Sequence, residues 1–452
     1  MSLTTVIFRC HQGARVLGFA VLGGLLLGIG PALAENWPQW RGPTFNGSSP
    51  EAGLPTNWSQ TENVAWVRPL PGWSGSTPVT WGDRVFLSTP DGANLTLMCV
   101  SRKDGSVLWQ RKVAVGEKTV NRNNLTSPSP VTDGQRVFVL DATGDLAAFD
   151  LAGQELWHRQ LAKDYGSFGI MWIYGSSPLL YQNRLYVQVL QRSPAEKSYP
   201  LADDRPERES YLLCLDPGTG TNLWRHVRKT DAVDESMEAY STPLPSADSK
   251  DHRIIVFGGD YVTSHNAFTG AEIWRCGGYN PRKTDFMRHW YRVVPSPVPG
   301  EGQVYVCGPK GEPVLAIREG GQGVVSETHQ AWKSKDATSD CPTPLYYQKK
   351  LFVVDGAKRT LACLDPATGA KQWSGSLGVT EQIWSSPTGA DGKIYIITEK
   401  GTVVVVEAGA EFKILAANPL DEFPTRSTVV PSGGQLLLRT GKNLYCVGKK
   451  AP

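Results

Sequence analysis

Short apolar runs broken by turn residues fill the chain. Arg84–Leu87, Arg136–Leu140, Arg184–Val187, Lys350–Val354 and Lys393–Ile397 are rich in β-branched and aromatic residues, and Gly-Asp, Asp-Gly or Gln-Asn pairs precede several of them. Such runs predict short strands entered by tight turns. Residues 35–452 contain no long apolar stripe at helical spacing. Two further elements recur around these runs. In the first, a Trp follows a Gly by four residues, at Gly105/Trp109, Gly153/Trp157, Gly220/Trp224, Gly270/Trp274 and Gly369/Trp373, with Trp332 a looser copy. In the second, Ser or Thr precedes Pro78, Pro130, Pro178, Pro243, Pro297, Pro344 and Pro387, and Ser427-Thr428-Val429 is an eighth copy without the proline. The prolines are 43 to 65 residues apart. A period near 40–50 residues is what four-stranded propeller blades require.

The expected fold is therefore all-β: an eight-bladed β-propeller of four-stranded antiparallel blades. In each blade Ser/Thr-Pro opens the first strand and the Trp lies in the fourth. Asp-x-x-Thr-Gly, as in Asp216–Gly220 and Asp365–Gly369, forms the hairpin before it. Trp66 sits in a fourth-strand sequence with no blade in front of it, whereas the unit from Thr428 to Lys449 ends after three strands. Pairing the two closes the last blade with an N-terminal strand and removes two open edges. Trp66, Trp109, Trp157, Trp224, Trp274, Trp332 and Trp373 are expected to cover the seams between blades, each indole N–H finding a polar partner.

Residues 1–34 differ from the rest. Arg9 and Arg15 precede an apolar run from Val16 to Ile29 and then Pro31-Ala32-Leu33-Ala34. This order predicts a signal peptide cleaved after Ala34, and hence a periplasmic or secreted protein; an uncleaved anchor is the alternative. Residues 35–59 are expected to form an extension packed on the outside of the ring, and residues 60–452 the propeller. The formal net charge is +3, and Arg9 and Arg15 supply two of those charges. A balance so near neutral gives no reason to expect nucleic acid as a partner, and a monomer with no membrane span after cleavage is expected. Cys99, Cys214, Cys363 and Cys446 share one third-strand position and read as core. Cys276, Cys307 and Cys341 lie elsewhere, and one disulfide among them stays open. Two insertions, residues 191–210 and residues 275–292 with Lys283, Asp285, Arg288, His289 and Trp290, read as binding loops or as solvated excursions. Gly320-Gly321-Gln322-Gly323 reads as a turn with no helix after it, and so not as a phosphate cradle. The histidines show no metal-ligand spacing.

The units resemble the repeat of the pyrroloquinoline-quinone (PQQ)-like β-propeller family, whose Trp-docking motif matches Cys214/Asp216/Thr219/Gly220/Trp224, Cys363/Asp365/Thr368/Gly369/Trp373 and Ser264/Thr269/Gly270/Trp274, with Asn266 in place of Asp. The family includes quinoprotein dehydrogenases and non-enzymatic members, such as the propeller subunit of the outer-membrane β-barrel assembly machinery. The Trp-Pro-Gln-Trp-Arg-Gly run resembles that of an exported subgroup. The resemblance implies two readings. The first is a non-catalytic exported scaffold that presents loops and a channel mouth to protein or glycan partners of the cell envelope, with no cofactor and no metal. The alternative is a PQQ-dependent oxidoreductase, which would need Ca²⁺ with oxygen ligands and a carboxylate base. The vicinal Cys-Cys pair common in the family's dehydrogenases is missing from this sequence. Under either reading the ligand site is the channel mouth. It is assigned to residues just ahead of each Ser/Thr-Pro element: Trp73, Asn124, Tyr174, Glu238, Tyr240, Arg292, Asp340, Gln382, Trp384 and Arg426.

Overall fold

The computed structural model describes residues 36–247, 250–280 and 291–449. The leader predicted over 1–34 and the residues Lys283, Asp285, Arg288, His289 and Trp290 lie outside them. Eight antiparallel sheets form the blades of a propeller, numbered 1 to 8 by their inner strands Val79–Trp81, Val131–Thr132, Leu179–Tyr181, Leu244–Pro245, Val298–Gly300, Leu345–Tyr347, Thr388–Ala390 and Val430–Ser432. Strands run outward in chain order, as in blade 3 with Leu179–Tyr181, Arg184–Val189, Tyr211–Leu215 and Asn222–Val227. Blade 8 is the exception. Its outer strand is Val64–Pro69, hydrogen-bonded to Asn443–Val447 with Trp66 opposite Cys446. The ring closes as the unpaired halves predicted.

The Ser/Thr-Pro element has a physical cause. The hydroxyl just before the proline position accepts the backbone N–H of the equivalent residue one blade earlier. The bonds run Thr77 N to Ser129 Oγ, Ser129 N to Ser177 Oγ, Ser177 N to Thr242 Oγ1, Thr242 N to Ser296 Oγ, Ser296 N to Thr343 Oγ1 and Thr343 N to Ser386 Oγ, at 2.8–3.0 Å. Across the closure, Thr428 N donates to Thr77 Oγ1 at 3.1 Å. These amides are buried and otherwise unpaired, so the hydroxyl belt satisfies groups that inner strands facing a channel would leave open.

The Gly-to-Trp spacing has a cause of the same kind. Trp66, Trp109, Trp157, Trp224 and Trp332 each lie flat on the turn glycine of the next blade: Gly105, Gly153, Gly220, Gly270 and Gly369. Each indole N–H donates to a carbonyl of that turn, as Trp157 Nε1 does to Pro217 O at 3.0 Å. Asp216 ties the turn itself, accepting from Gly218 N, Thr219 N and Thr219 Oγ1.

Trp274 departs from the expectation. Its indole N–H meets no acceptor among the described residues. The loop of blade 5 that would supply one is rebuilt: Gly323–Val324 adds a parallel fifth strand beside Trp274 and Arg275 on the edge of blade 4. The Gly320–Gly323 run thus ends in a strand, and a helical turn, Ser326–His329, does follow it, contrary to the sequence reading. Cys99, Cys214, Cys276, Cys307, Cys341, Cys363 and Cys446 are all unpaired.

Residues 36–59 cross one face of the ring. Thr132 N donates to Pro38 O, Gly389 N to Gly47 O and Gly434 N to Glu51 Oε2. Arg41 is fully buried there and donates to the carbonyls of Pro344 and Pro387. Burial lowers its pKa to about 9. These contacts lie at the far ends of the inner strands, beyond the hydroxyl belt, so residues 38–51 cross the channel floor, whereas residues 54–58 pack against the outer strand of blade 7, where Trp58 N donates to Asn418 Oδ1 and Asn418 Nδ2 to Thr56 O.

Candidate functional site

The inner strands are extended, so side chains two residues apart share a face. Two residues before the belt hydroxyl stand Gly75, Ser127, Gly175, Tyr240, Val294, Cys341, Trp384 and Arg426, and all eight line one central cavity of about 190 Å³. The tier is lopsided. Blades 1 to 3 contribute two glycines and a serine, and blades 4 to 8 contribute larger side chains. Neither Gly75 nor Gly175 adopts a positive φ, so glycine there provides room rather than backbone freedom. Trp40 of the N-terminal segment lines the same cavity.

Loops of blades 2 and 3 fill the mouth. A hairpin pairs Thr119 with Asn124 and Val120 with Asn123, leaving Asn121 and Arg122 as its two-residue tip. Asn123 Nδ2 anchors the hairpin to Ile173 O at 3.0 Å, and Asn124 Nδ2 anchors it to Trp73 O at 2.6 Å. The Arg122 guanidinium lies 5.0 Å from the Trp172 ring and 5.3 Å from the Trp384 ring, and Arg426 stacks on Trp384 at 4.7 Å. These are cation–π distances. Trp172 is held in turn: its backbone N–H donates to the Tyr240 phenol at 2.9 Å. Tyr240 shares Glu238 with Met171 N and with Tyr199 of the 191–210 insertion.

The ten predicted residues fall into three groups. Tyr240, Arg292, Trp384 and Arg426 line the cavity. Glu238 and Asp340 support it from behind. Asp340 binds Arg292 through both carboxylate oxygens at 3.2 and 3.3 Å and also pairs with Lys310. Burial alone would raise the Asp340 pKa, but Arg292 and Lys310 hold it below the usual range. Glu238 is fully buried, and burial pushes it up to about 7. Trp73 and Asn124 line a different cleft, Tyr174 is buried with its hydroxyl on Gln188 O, and Gln382 contributes a carbonyl to Glu399 N. Sequence reading missed Arg122, Trp172, Trp40 and Cys341. The first two come from loops outside the repeat. Cys341 was available by counting two back from each belt hydroxyl.

The donor chemistry does not suit a Ca²⁺-bound quinone. Every carboxylate near the cavity is already engaged: Glu238 by Tyr199 and Met171 N, Asp340 by Arg292 and Lys310, and Glu399 by Trp384 Nε1 and Arg426. Among the described residues no three His, Cys, Asp or Glu side chains converge, whereas Ca²⁺ takes six to eight oxygens. Burial raises the Cys341 thiol to about 12, which disfavours its thiolate.

The family model described as outer membrane protein assembly factor BamB matches residues 53–171, 170–374 and 325–411. The chain belongs to this family. No curated protein sequence matches it. Among solved structures it resembles BamB from Moraxella catarrhalis, at 12% identity and a TM-score of 0.59 over 84% of this chain and 98% of that one. It also resembles a europium-containing methanol dehydrogenase, at 10% identity and 0.63 over 91% and 89%, and the computationally designed Ika8 protein, at 11% and 0.56 over 85% and 99%. At these identities the likeness is one of fold. Among the described residues no helix is long and apolar enough to cross a membrane.

Proposed function

We propose that this protein is an exported, non-catalytic binding propeller of the cell envelope that engages its partners through the channel mouth and the loops around it. The observation that supports this reading most directly is the character of the mouth. It offers guanidinium and indole surfaces that recognise a ligand, while each nearby carboxylate is tied up and the one thiol is held protonated. Membership in the family described by an outer-membrane assembly factor agrees with an envelope location and with partners of protein or glycan character.

Two experiments test it. Purified protein supplied with PQQ and Ca²⁺ is expected to give no dye reduction above buffer; saturable, Ca²⁺-dependent reduction lost in Glu238→Ala and Asp340→Ala would sink the reading. Affinity capture from the envelope is expected to return one reproducible partner with the native protein and to lose it when Asn121 and Arg122 are both replaced by glycine. Capture that the mouth variant leaves unchanged would move the binding surface elsewhere.

A further inference from the structure

We infer that the central chamber takes a small single-ring aromatic monocarboxylate, with Arg122 as the residue that holds its carboxylate. This rests on the reading of the mouth as a binding surface and adds a small ligand, held in the chamber beneath it, to the partners proposed there. Four observations carry it.

The first is size. A cavity of about 150 Å³ holds one benzene ring, and this one measures about 190 Å³. That leaves space for a ring and one small polar group. It is below the range of about 300–1,000 Å³ of pockets that enclose larger ligands, so a ligand held wholly within it is a small one.

The second is charge. Arg292 and Lys310 are matched by Asp340 and Glu235, and Arg426 by Glu399. Arg122 forms no ion pair with any described residue, so one positive charge remains for one anionic group.

The third is orientation. Trp172 and Trp384 occupy the environment of the Arg122 guanidinium as stacking partners. With indole rings as its neighbours, the guanidinium keeps its N–H groups for a planar, two-oxygen acceptor, which is a carboxylate.

The fourth is the shape of the vacancy. Gly75 and Gly175 leave room on the side of blades 1 to 3 without being required by the backbone. Trp40 lines the chamber from the floor segment, and Arg122 lines it from the mouth.

The test is titration of the purified protein with benzoate, phenylacetate, benzamide and acetate, followed by tryptophan fluorescence and calorimetry. Benzoate or phenylacetate should bind saturably and without Ca²⁺. Benzamide lacks the charge and acetate lacks the ring, and each should bind at least about tenfold more weakly. Arg122→Gln, at an exposed hairpin tip, should cost about tenfold in affinity without altering the melting curve. Val294→Phe, which fills the chamber from blade 5 and leaves the Arg122 hairpin untouched, should abolish binding. No saturable binding by either acid, equal binding of benzamide, or unchanged affinity in Arg122→Gln would each overturn the assignment. Tighter binding of acetyl-Ala-Phe than of phenylacetate would also overturn it, by making the ligand a chain terminus. Absent benzoate binding with absent dye reduction would remove this ligand class alone, whereas PQQ-dependent dye reduction would remove the non-catalytic reading itself.

Discussion

The seam between blades 8 and 1 gives the most direct test of how the ring is held. Gly105 turns with φ +69°, and a Cβ built there would lie 2.5 Å from Cε3 of Trp66. Gly105→Ala therefore carries two separate costs. One is conformational, about 1 kcal/mol for a side chain in left-handed backbone. The other is steric, about 1–3 kcal/mol for pushing an atom into a packed contact. Trp66→Ala alone should cost about 3–5 kcal/mol, because the indole is buried among Val85, Leu87, Val430, Leu437 and Cys446 and donates to Arg102 O. In the double variant the indole that meets the new methyl is gone, so the steric cost disappears and only the conformational one remains. The double-mutant cycle should thus be sub-additive by about 1–3 kcal/mol, read from urea unfolding by far-UV circular dichroism with unchanged slopes. Leu108→Ala, at a residue 49% exposed, serves as the control and should move stability by less than about 0.5 kcal/mol. Additivity within about 0.5 kcal/mol would refute the claim that the turn glycines are set by the indoles lying on them.

Three further outcomes follow from the same geometry. Glu238 has a folded pKa of about 7 against an ordinary 4.5, so the folded state binds the extra proton; its stabilising contribution is full below about pH 4.5 and is lost as pH rises through 7. Wild-type stability should therefore fall relative to Glu238→Gln by about 3 kcal/mol between pH 4.5 and 8, and a flat difference would contradict the burial argument. Ser129→Ala strands the Thr77 amide and should cost about 1–3 kcal/mol in denaturant unfolding, whereas Ser129→Thr keeps the acceptor and should cost less. The seven cysteines among the described residues are unpaired; Cys99, Cys214, Cys276, Cys307, Cys363 and Cys446 are buried and should react with a thiol reagent only after unfolding, Cys341, half-buried on the cavity wall, should react first, and dithiothreitol should leave the melting midpoint unchanged.

The fold was legible because a repeat prints the same physical demand eight times. A buried amide that needs a hydroxyl from the next blade writes Ser or Thr before each proline, and each turn writes a Gly under the indole of the preceding blade and, four residues on, the Trp that covers the next. The closure was legible for the complementary reason, since Trp66 carried an outer-strand sequence with no inner strands before it. Legibility stops where blades differ. Blade 5 replaces the docking turn with Gly323–Val324, and Trp274 loses its acceptor while its sequence still looks regular.

The site shows the same division at finer scale. Counting back from each belt hydroxyl finds the chamber at two residues in every blade, and at four only where Arg292 of blade 5 reaches in. Tyr240, Trp384 and Arg426 sit on that phase and face the cavity, whereas Tyr174, three back from Ser177, turns into the packing between blades. Glu238, four back from Thr242, shares the inward phase but lies one layer higher, and the insertion residue Tyr199 covers it. The residue that gives the chamber its uncompensated charge is not in the repeat at all. Arg122 arrives on a hairpin between blades 1 and 2, and only the glycines and serine of blades 1 to 3 leave the space it overlooks. The repeat thus builds a ring with a vacancy on one side, and the exceptions to the repeat decide what the vacancy can hold. In this chain they supply one unpaired guanidinium, the Trp172 indole and a tryptophan floor.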